Sequence, residues 1–451
     1  MDPAEPLKYQ RDRLLVDVPA YAVGLQLQLP DGAPVYLALS ATELAFYFQQ
    51  NLALHYDLEA RLVKISEPNQ YWRRGQSNRV VHSRKRTAAE GGGLQRTVLA
   101  PNDTDAVVAQ AHGAVAAVAE ALRSRTATIE AGKPTLEAAL AGLQPLLERA
   151  AQFDAAAARA DGARFRSVYR SVAVLPPNEY NSIVVQATEG CSHNQCTFCE
   201  LYRGVSFRTK TTEEFEAHLQ QVIAYQGAVL ASRRSLFLGE ANALTLPPAA
   251  LGERLRLMAK YFELPESNEG HVPASWWLGS RRRFDGVASF LDVFTGQRRS
   301  VDDWINLRRE GLRRVYLGIE TGCDELLRWL AKPALAHSII RTVTGLKEAK
   351  LAVAVILLLG AGGKRFAEAH VRETVDVLNQ LSLGRNDYIY LSPLVIYKGG
   401  PYAARSMTDQ ITPLSSAEID EQERQIRAGL TFPNAAGKPH IARYELETFV
   451  Y

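Results

Sequence analysis

From residue 182 onward the chain alternates strand text with helix text, and this alternation restricts its fold more than any other feature. SIVVQATE (182–189) reads as a buried strand, and further strands are expected at Ser235–Gly239, Val287–Val293, Val315–Ile319, Val353–Leu359 and Tyr388–Leu391. Apolar stripes at helical spacing separate them, at Ala249–Tyr261, Val301–Glu310, Glu325–Leu330 with His337–Lys350, and Ala367–Leu381. Thr211 and Glu214 form a capping box ahead of a helix bearing Phe215, Leu219 and Val222. Parallel strands need crossover connections, which helices supply, so the pattern predicts an α/β fold with a parallel sheet. Six units fall short of a closed eight-unit barrel, and a partial (β/α)6 barrel fits.

The text before residue 175 is of another kind and predicts an N-terminal α+β domain over 1–175. Tyr21 to Leu39 alternates apolar and polar residues around Pro30-Asp31-Gly32, a β-hairpin signal. Residues 72–96 collect Arg73, Arg74, Arg79, Arg84, Lys85, Arg86 and Arg96 near a run of three glycines. A basic loop is expected there, either solvated or, at Arg73, Arg74 and Arg79, an anion-binding patch. A helical pair follows. Val108, Ala111, Val115, Val118 and Leu122 form one stripe, capped by Asn102, Asp103 or Thr104. Leu136, Leu140, Leu143 and Leu147 form the other, started by Thr135, kinked at Pro145 and separated from the first by a break at Gly132 and Pro134. Leu175-Pro176-Pro177 reads as the linker into a barrel over 176–400, with 401–451 as an extension packed on it.

The chain has 451 residues and a formal net charge of +3, which gives no bulk electrostatic case for nucleic acid or membrane as the main partner. Its start is charged, without the apolar stretch of a signal peptide, and the longest apolar run, Leu351 to Leu359, is too short to span a bilayer. A cytoplasmic protein is expected.

Four cysteines are present, and three stand within nine residues: Cys191, Cys196 and Cys199, in the loop CSHNQCTFC. Clustering of this kind in a cytosolic chain points to metal rather than to disulfides. Spacing alone leaves two centres open. One is a closed zinc site completed by His193 or Cys323, the other an iron–sulfur cluster. Position favours the second, because the loop follows the first β-strand, where β/α folds place ligands and chemistry. Three thiolates also leave a coordination position free, which suits catalysis.

The loop and its surroundings, GCSHNQCTFCELYRGVSFRTKT, resemble the cluster loop of the radical S-adenosylmethionine (SAM) superfamily. In that family three cysteines hold a 4Fe–4S cluster whose fourth iron binds SAM. Relatives usually have three residues between the first two cysteines; here there are four, as in a divergent subgroup. The likeness extends across about residues 180–400. It implies that Phe198 lies near the adenine and that Gly239-Glu240 meets the SAM amino group. A carboxylate there would accept hydrogen bonds from an ammonium. RRVYLGIETGCDELLRWLAKP (313–333) is similar to the corresponding stretch of methylthiotransferase-like and tRNA-modifying members, which puts Glu320 on the SAM or substrate side. Gly360 and Gly362 resemble the glycines that pack on the adenine, and Cys323 is expected to be a structural thiol. The chemistry implied is reductive cleavage of SAM to a 5′-deoxyadenosyl radical that abstracts hydrogen from a substrate. A donor such as flavodoxin or ferredoxin would supply the electron. With one cysteine left over, a second cluster is not expected, and no Asp-x-His-x-x-Gly pattern marks a corrinoid domain.

Asp292 and Ser392 are candidate substrate contacts as well as ordinary turn residues. Trp276 and Trp277 beside Arg281, Arg282 and Arg283 fit either an anionic or aromatic substrate or an insertion packed on the N-terminal domain. A small or mixed-character substrate is favoured over nucleic acid. Two other readings remain: a non-catalytic zinc or iron–sulfur module, and an RNA-modifying or RNA-binding protein contacting RNA through Arg73–Arg96 and Arg281–Arg283.

Overall fold

The computed structural model describes residues 23–87, 92–262, 264, 284–432, 437–446 and 449–451, together with the backbone of a short antiparallel pair, Leu7–Lys8 with Asp17–Val18. Two sheets organise it.

The N-terminal sheet has nine antiparallel strands. Eight form a meander: Val23–Gln28, Pro34–Leu39, Leu44–Tyr47, Ala53–Tyr56, Leu62–Glu67, Gln70–Arg74, Val80–Lys85 and Leu94–Val98. The ninth, Thr128–Lys133, pairs with the first. The expected hairpin is present, turning where the Asp31 carboxylate accepts from the Ala33 amide and Gly32 takes a positive φ. Helices Pro101–Arg123, Leu136–Ala150 and Ala155–Val168 accompany the sheet. The stripes Val108, Ala111, Val115, Val118 and Leu143, Leu147 bury against Leu25, Leu27, Leu37, Phe46 and Leu54.

Several expectations for this region are corrected. The basic segment is not one loop: Arg73 and Arg74, Arg84 and Lys85, and Arg96 stand on the strands Gln70–Arg74, Val80–Lys85 and Leu94–Val98, with Arg79 and Arg86 between them. Arginines spaced along an edge region carry charge on its exposed face, a pattern that discourages pairing with other chains. The break at Gly132 lies inside a strand. The first helix starts at Pro101, whose fixed φ suits the first turn, and Ala100 caps it without a side-chain bond. Thr135 does cap the second helix, accepting from Ala138 N at 3.1 Å. A third helix, capped by Asp154, occupies the alanine-rich text.

The second sheet has seven parallel strands in sequential order: Ile183–Gln186, Leu236–Gly239, Val287–Leu291, Leu312–Glu320, Ala352–Leu359, Tyr388–Pro393 and His440–Arg443. Helices Thr212–Gln226, Pro248–Tyr261, Val301–Arg309, Ala336–Glu348, Gly363–Gln380 and Ser416–Gly429 connect them, and the capping box at Thr211 and Glu214 is formed. Five of the six expected strands have near-continuous apolar text because both of their faces are covered. The seventh strand corrects the (β/α)6 count. It has four residues, HIAR, and only partial burial, so it carries little apolar signal. The segment expected merely to pack on the barrel contributes a strand to it.

The two sheets are joined through buried polar contacts. Arg61 donates to the Tyr225 carbonyl at 3.3 Å, Tyr225 OH donates to Asp161 at 3.2 Å, and the Gln76 and Gln226 amides pair reciprocally. Tyr451 spans the joint. Its hydroxyl donates to Ser182 O and accepts from Val184 N on the first parallel strand. Its carbonyl accepts from Gln76 N beside Gly75, where a Cβ would stand 2.7 Å away.

Candidate active site

The chain leaves the first parallel strand into a loop closed at its base by a short antiparallel pair, Thr188–Glu189 with Arg208–Thr209. Glu189 clamps that base. Arg208 at 2.9 Å, then Lys210 at 2.8 Å and Arg170 at 3.1 Å hold its carboxyl down at about 2. Gly190, at φ +75°, turns the chain into the cysteine segment. There the Asn194 amide donates to Cys191 Sγ at 3.3 Å, and Arg203 donates to the Cys196 carbonyl at 3.1 Å. The segment docks on residues 330–331: Thr197 N donates to Leu330 O at 2.9 Å, and His193 Nε2 bonds to Ala331 O at 3.0 Å.

Cys191, Cys196 and Cys199 line one cavity of about 210 Å³ at the C-terminal ends of the parallel strands, together with Phe198, Glu320, Asp292 and Ser392. Those residues come from positions more than 190 apart in sequence, and the sheet brings them together. Most of the remaining wall is apolar or aromatic: Phe290, Phe294, Ile356, Leu358, Leu394, Tyr397 and Tyr444. Burial pushes the Cys196 thiol up to about 12 and raises Cys199 as well, so both hold protons until a metal displaces them. Among the described residues no three Cys, His, Asp or Glu side chains converge closely enough to hold a single metal ion. His193 is engaged with a backbone carbonyl, and Cys323 does not line the cavity. It is buried beside Leu326, Trp329 and Phe366 at the start of helix Asp324–Trp329.

Glu320 ends the fourth strand in a left-handed conformation, φ +62°. It meets Lys332, whose ammonium donates to Glu320 Oε1 at 2.9 Å, with both side chains nearly buried. Burial opposes the Lys332 charge, but Glu320 and then Cys196 more than offset it, and its pKa lies above the ordinary lysine range. Sequence reasoning passed over Lys332. Its signal was a cation inside the apolar text LLRWLAKP, close to the cysteine loop only after folding.

Glu240 follows the second strand and lies behind the cavity wall, 5% exposed. It accepts from Gly190 N at 3.3 Å and from the Gln186 amide, and burial pushes its carboxyl up to about 7. Lys210, which draws it down, is paired with Glu189. Gly239 stands beside Val184 and Gln186. Asp292 acts as a helix cap, accepting from Thr295 N and Oγ1, while also lining the cavity. Two polar atoms on the wall, Asn242 Oδ1 and Ser392 Oγ, are buried without a hydrogen-bond partner among the described residues.

Gly360 and Gly362 do not line the cavity and stand toward the C-terminal helices. Gly360 N donates to Gln422 Oε1 at 2.7 Å and Gly362 N to Tyr402 OH at 2.9 Å, and a Cβ on Gly362 would collide with Phe366 and Leu326. Both adopt positive φ, which glycine supplies without strain, so the turn into helix Gly363–Gln380 explains them. Trp276, Trp277 and Arg281–Arg283 lie outside the described residues.

No family model and no curated protein matches this sequence. Solved structures similar to it include radical SAM enzymes. Cobalamin-dependent OxsB, with aqua-cobalamin and SAM bound, is 12% identical with a TM-score of 0.35, over 55% of this chain and 31% of that one. Coproporphyrinogen III oxidase (HemN) from Escherichia coli is 16% identical with a TM-score of 0.38, over 55% and 50%. The methyltransferase TsrM from Kitasatospora setae is 17% identical with a TM-score of 0.34, over 52% and 42%. The chain thus spans between 31% and 50% of the length of these proteins. No helix among the described residues is long and apolar enough to cross a membrane.

Proposed function

We propose that this chain is a radical SAM enzyme in which Cys191, Cys196 and Cys199 hold one 4Fe–4S cluster. The observation that carries the reading is that one loop delivers three thiols to the wall of a cavity at the C-terminal end of a parallel sheet. A mononuclear metal needs its donors at a single point, whereas a cluster takes each thiolate on a separate iron. The cavity also fits a zwitterionic partner. Asn242 Oδ1 and Ser392 Oγ on its wall are acceptors without a donor among the described residues.

Held by Cys191, Cys196 and Cys199, a cluster with SAM would supply one-electron radical chemistry toward a substrate, and flavodoxin or ferredoxin would be the electron donor. The chain's own residues hold the loop by the Glu189 clamp and the 330–331 contacts, place the Glu320–Lys332 pair beside Cys196, and exclude water with Phe290, Phe294 and Leu358. That wall favours a small substrate with an apolar or aromatic body over nucleic acid.

Anaerobic purification should yield a brown protein with iron and sulfide that forms 5′-deoxyadenosine from SAM with dithionite. Alanine at Cys191, Cys196 or Cys199 should abolish both, and Cys323→Ala should retain them. Colourless protein holding one zinc, or loss of iron in Cys323→Ala, would overturn the assignment.

A further inference from the structure

The fold divides the arginines that the sequence offers as an anion patch. Arg74 is buried, donating to Asp161 at 2.9 Å and to Asn78 at 2.7 Å, and Arg79 donates to the Phe449 carbonyl. Arg73 is different. Its guanidinium lies over the Tyr180 ring, 5.7 Å from the centroid, and no carboxylate pairs with it among the described residues.

Arg73 lines a second cavity of about 360 Å³, between the N-terminal sheet and the end of the seventh parallel strand. Cross-strand register builds its sheet side. Arg96, Ser83 and Tyr71 stand opposite one another on three neighbouring strands, and Arg73 faces Val81 in the next row. The barrel adds Pro177, Tyr180, Arg443 and Glu445. The lining therefore holds three guanidinium groups against one carboxylate. Glu445 pairs with Arg96, and Arg443 also pairs with Asp420 at 2.8 Å. This leaves Arg73 as a fork of donors held in place by an aromatic face but not neutralised.

We propose that this cleft binds a phosphate dianion, either free phosphate or a phosphomonoester. Planar guanidinium forks match phosphate oxygens in a bidentate way, Arg96 and the Tyr71 hydroxyl stand on the same wall, and the Tyr71 and Tyr180 rings provide an apolar face for a group carrying the phosphate. The cleft shares a partition with the cysteine cavity. Along residues 443–446 the side chains alternate, so that Arg443 and Glu445 line the cleft while Tyr444 and Leu446 line the cysteine cavity. The inference does not depend on what that cavity catalyses.

Calorimetric titration of the full chain at fixed ionic strength, with inorganic phosphate and separately with phenyl phosphate, tests it. One saturable site is expected for at least one ligand. Loss of a charge-assisted bond should weaken binding about tenfold or more in Arg73→Gln. The exposed Arg96→Gln should weaken it as well, and Lys350→Gln, outside the cleft, should leave it unchanged. Tighter binding of phenyl phosphate assigns the site to a phosphomonoester; equal affinity assigns it to the free anion. Binding that does not saturate, or that is unaltered in Arg73→Gln and Arg96→Gln, overturns the proposal.

Discussion

Replacing Lys332 with Met leaves the Glu320 carboxylate in a nearly water-free site, and the cost follows from the geometry. At 2.9 Å the two unit charges attract by about 6 kcal/mol at an effective dielectric of about 20. Desolvation of both groups offsets much of that, but removing one partner still costs about 3–5 kcal/mol because the other charge remains buried. Lys332→Met and Glu320→Gln should each lose about 3 kcal/mol of unfolding free energy in urea, measured on the metal-free chain. The double variant should be less destabilised than the sum by at least about 2 kcal/mol, since neither charge is then orphaned. On the proposed function, SAM cleavage separates scaffold from site. Because the pair lines the cavity, all three variants should form 5′-deoxyadenosine at least about a hundredfold more slowly, a barrier increase of about 3 kcal/mol. Additive destabilisation would refute the ion pair. A double variant restored in both stability and turnover would refute its place in the active site.

At the joint between the sheets, Asp161→Asn strands the buried Arg74 guanidinium, because Arg61 keeps Asp57 as its partner, and should cost about 3–5 kcal/mol in urea unfolding. A loss below about 1 kcal/mol would show that the joint does not depend on this charge. His218 is held down at about 3 by burial, its Nε2 accepting from Gln186 N at 3.0 Å. A depressed histidine contributes fully above the unfolded value near 6.5, and the contribution fades as pH falls toward 3. About 2 kcal/mol should therefore be gone by pH 5. Urea unfolding at pH 7 and pH 5 measures this, and His218→Gln should flatten that part of the profile.

The parallel sheet was legible where burial on both faces wrote long apolar runs, as in Val353–Leu359, and the cysteine cluster was legible because its residues are close in sequence. Lys332 was not, since its importance arises from a turn that returns it to Glu320. The role of Gly360 and Gly362 was not legible, because a glycine needed for a positive φ and one needed for close ligand approach look identical in text. The strands among residues 70–98 were hidden by clustered basic residues, which resemble a solvated loop when the partner strand is unknown. HIAR carries no run at all; it becomes a strand because Tyr388–Leu391 offers it a free edge.

Tyr451 bears on the order in which the molecule is made. The strand that launches the cysteine loop has two polar groups, Val184 N and Ser182 O, that are satisfied by a side chain translated more than 260 residues later. A nascent chain stalled anywhere before that tyrosine holds its cysteines on an incompletely bonded strand. The base of the cysteine loop is therefore completed only once Tyr451 has been made, not when the cysteines themselves emerge.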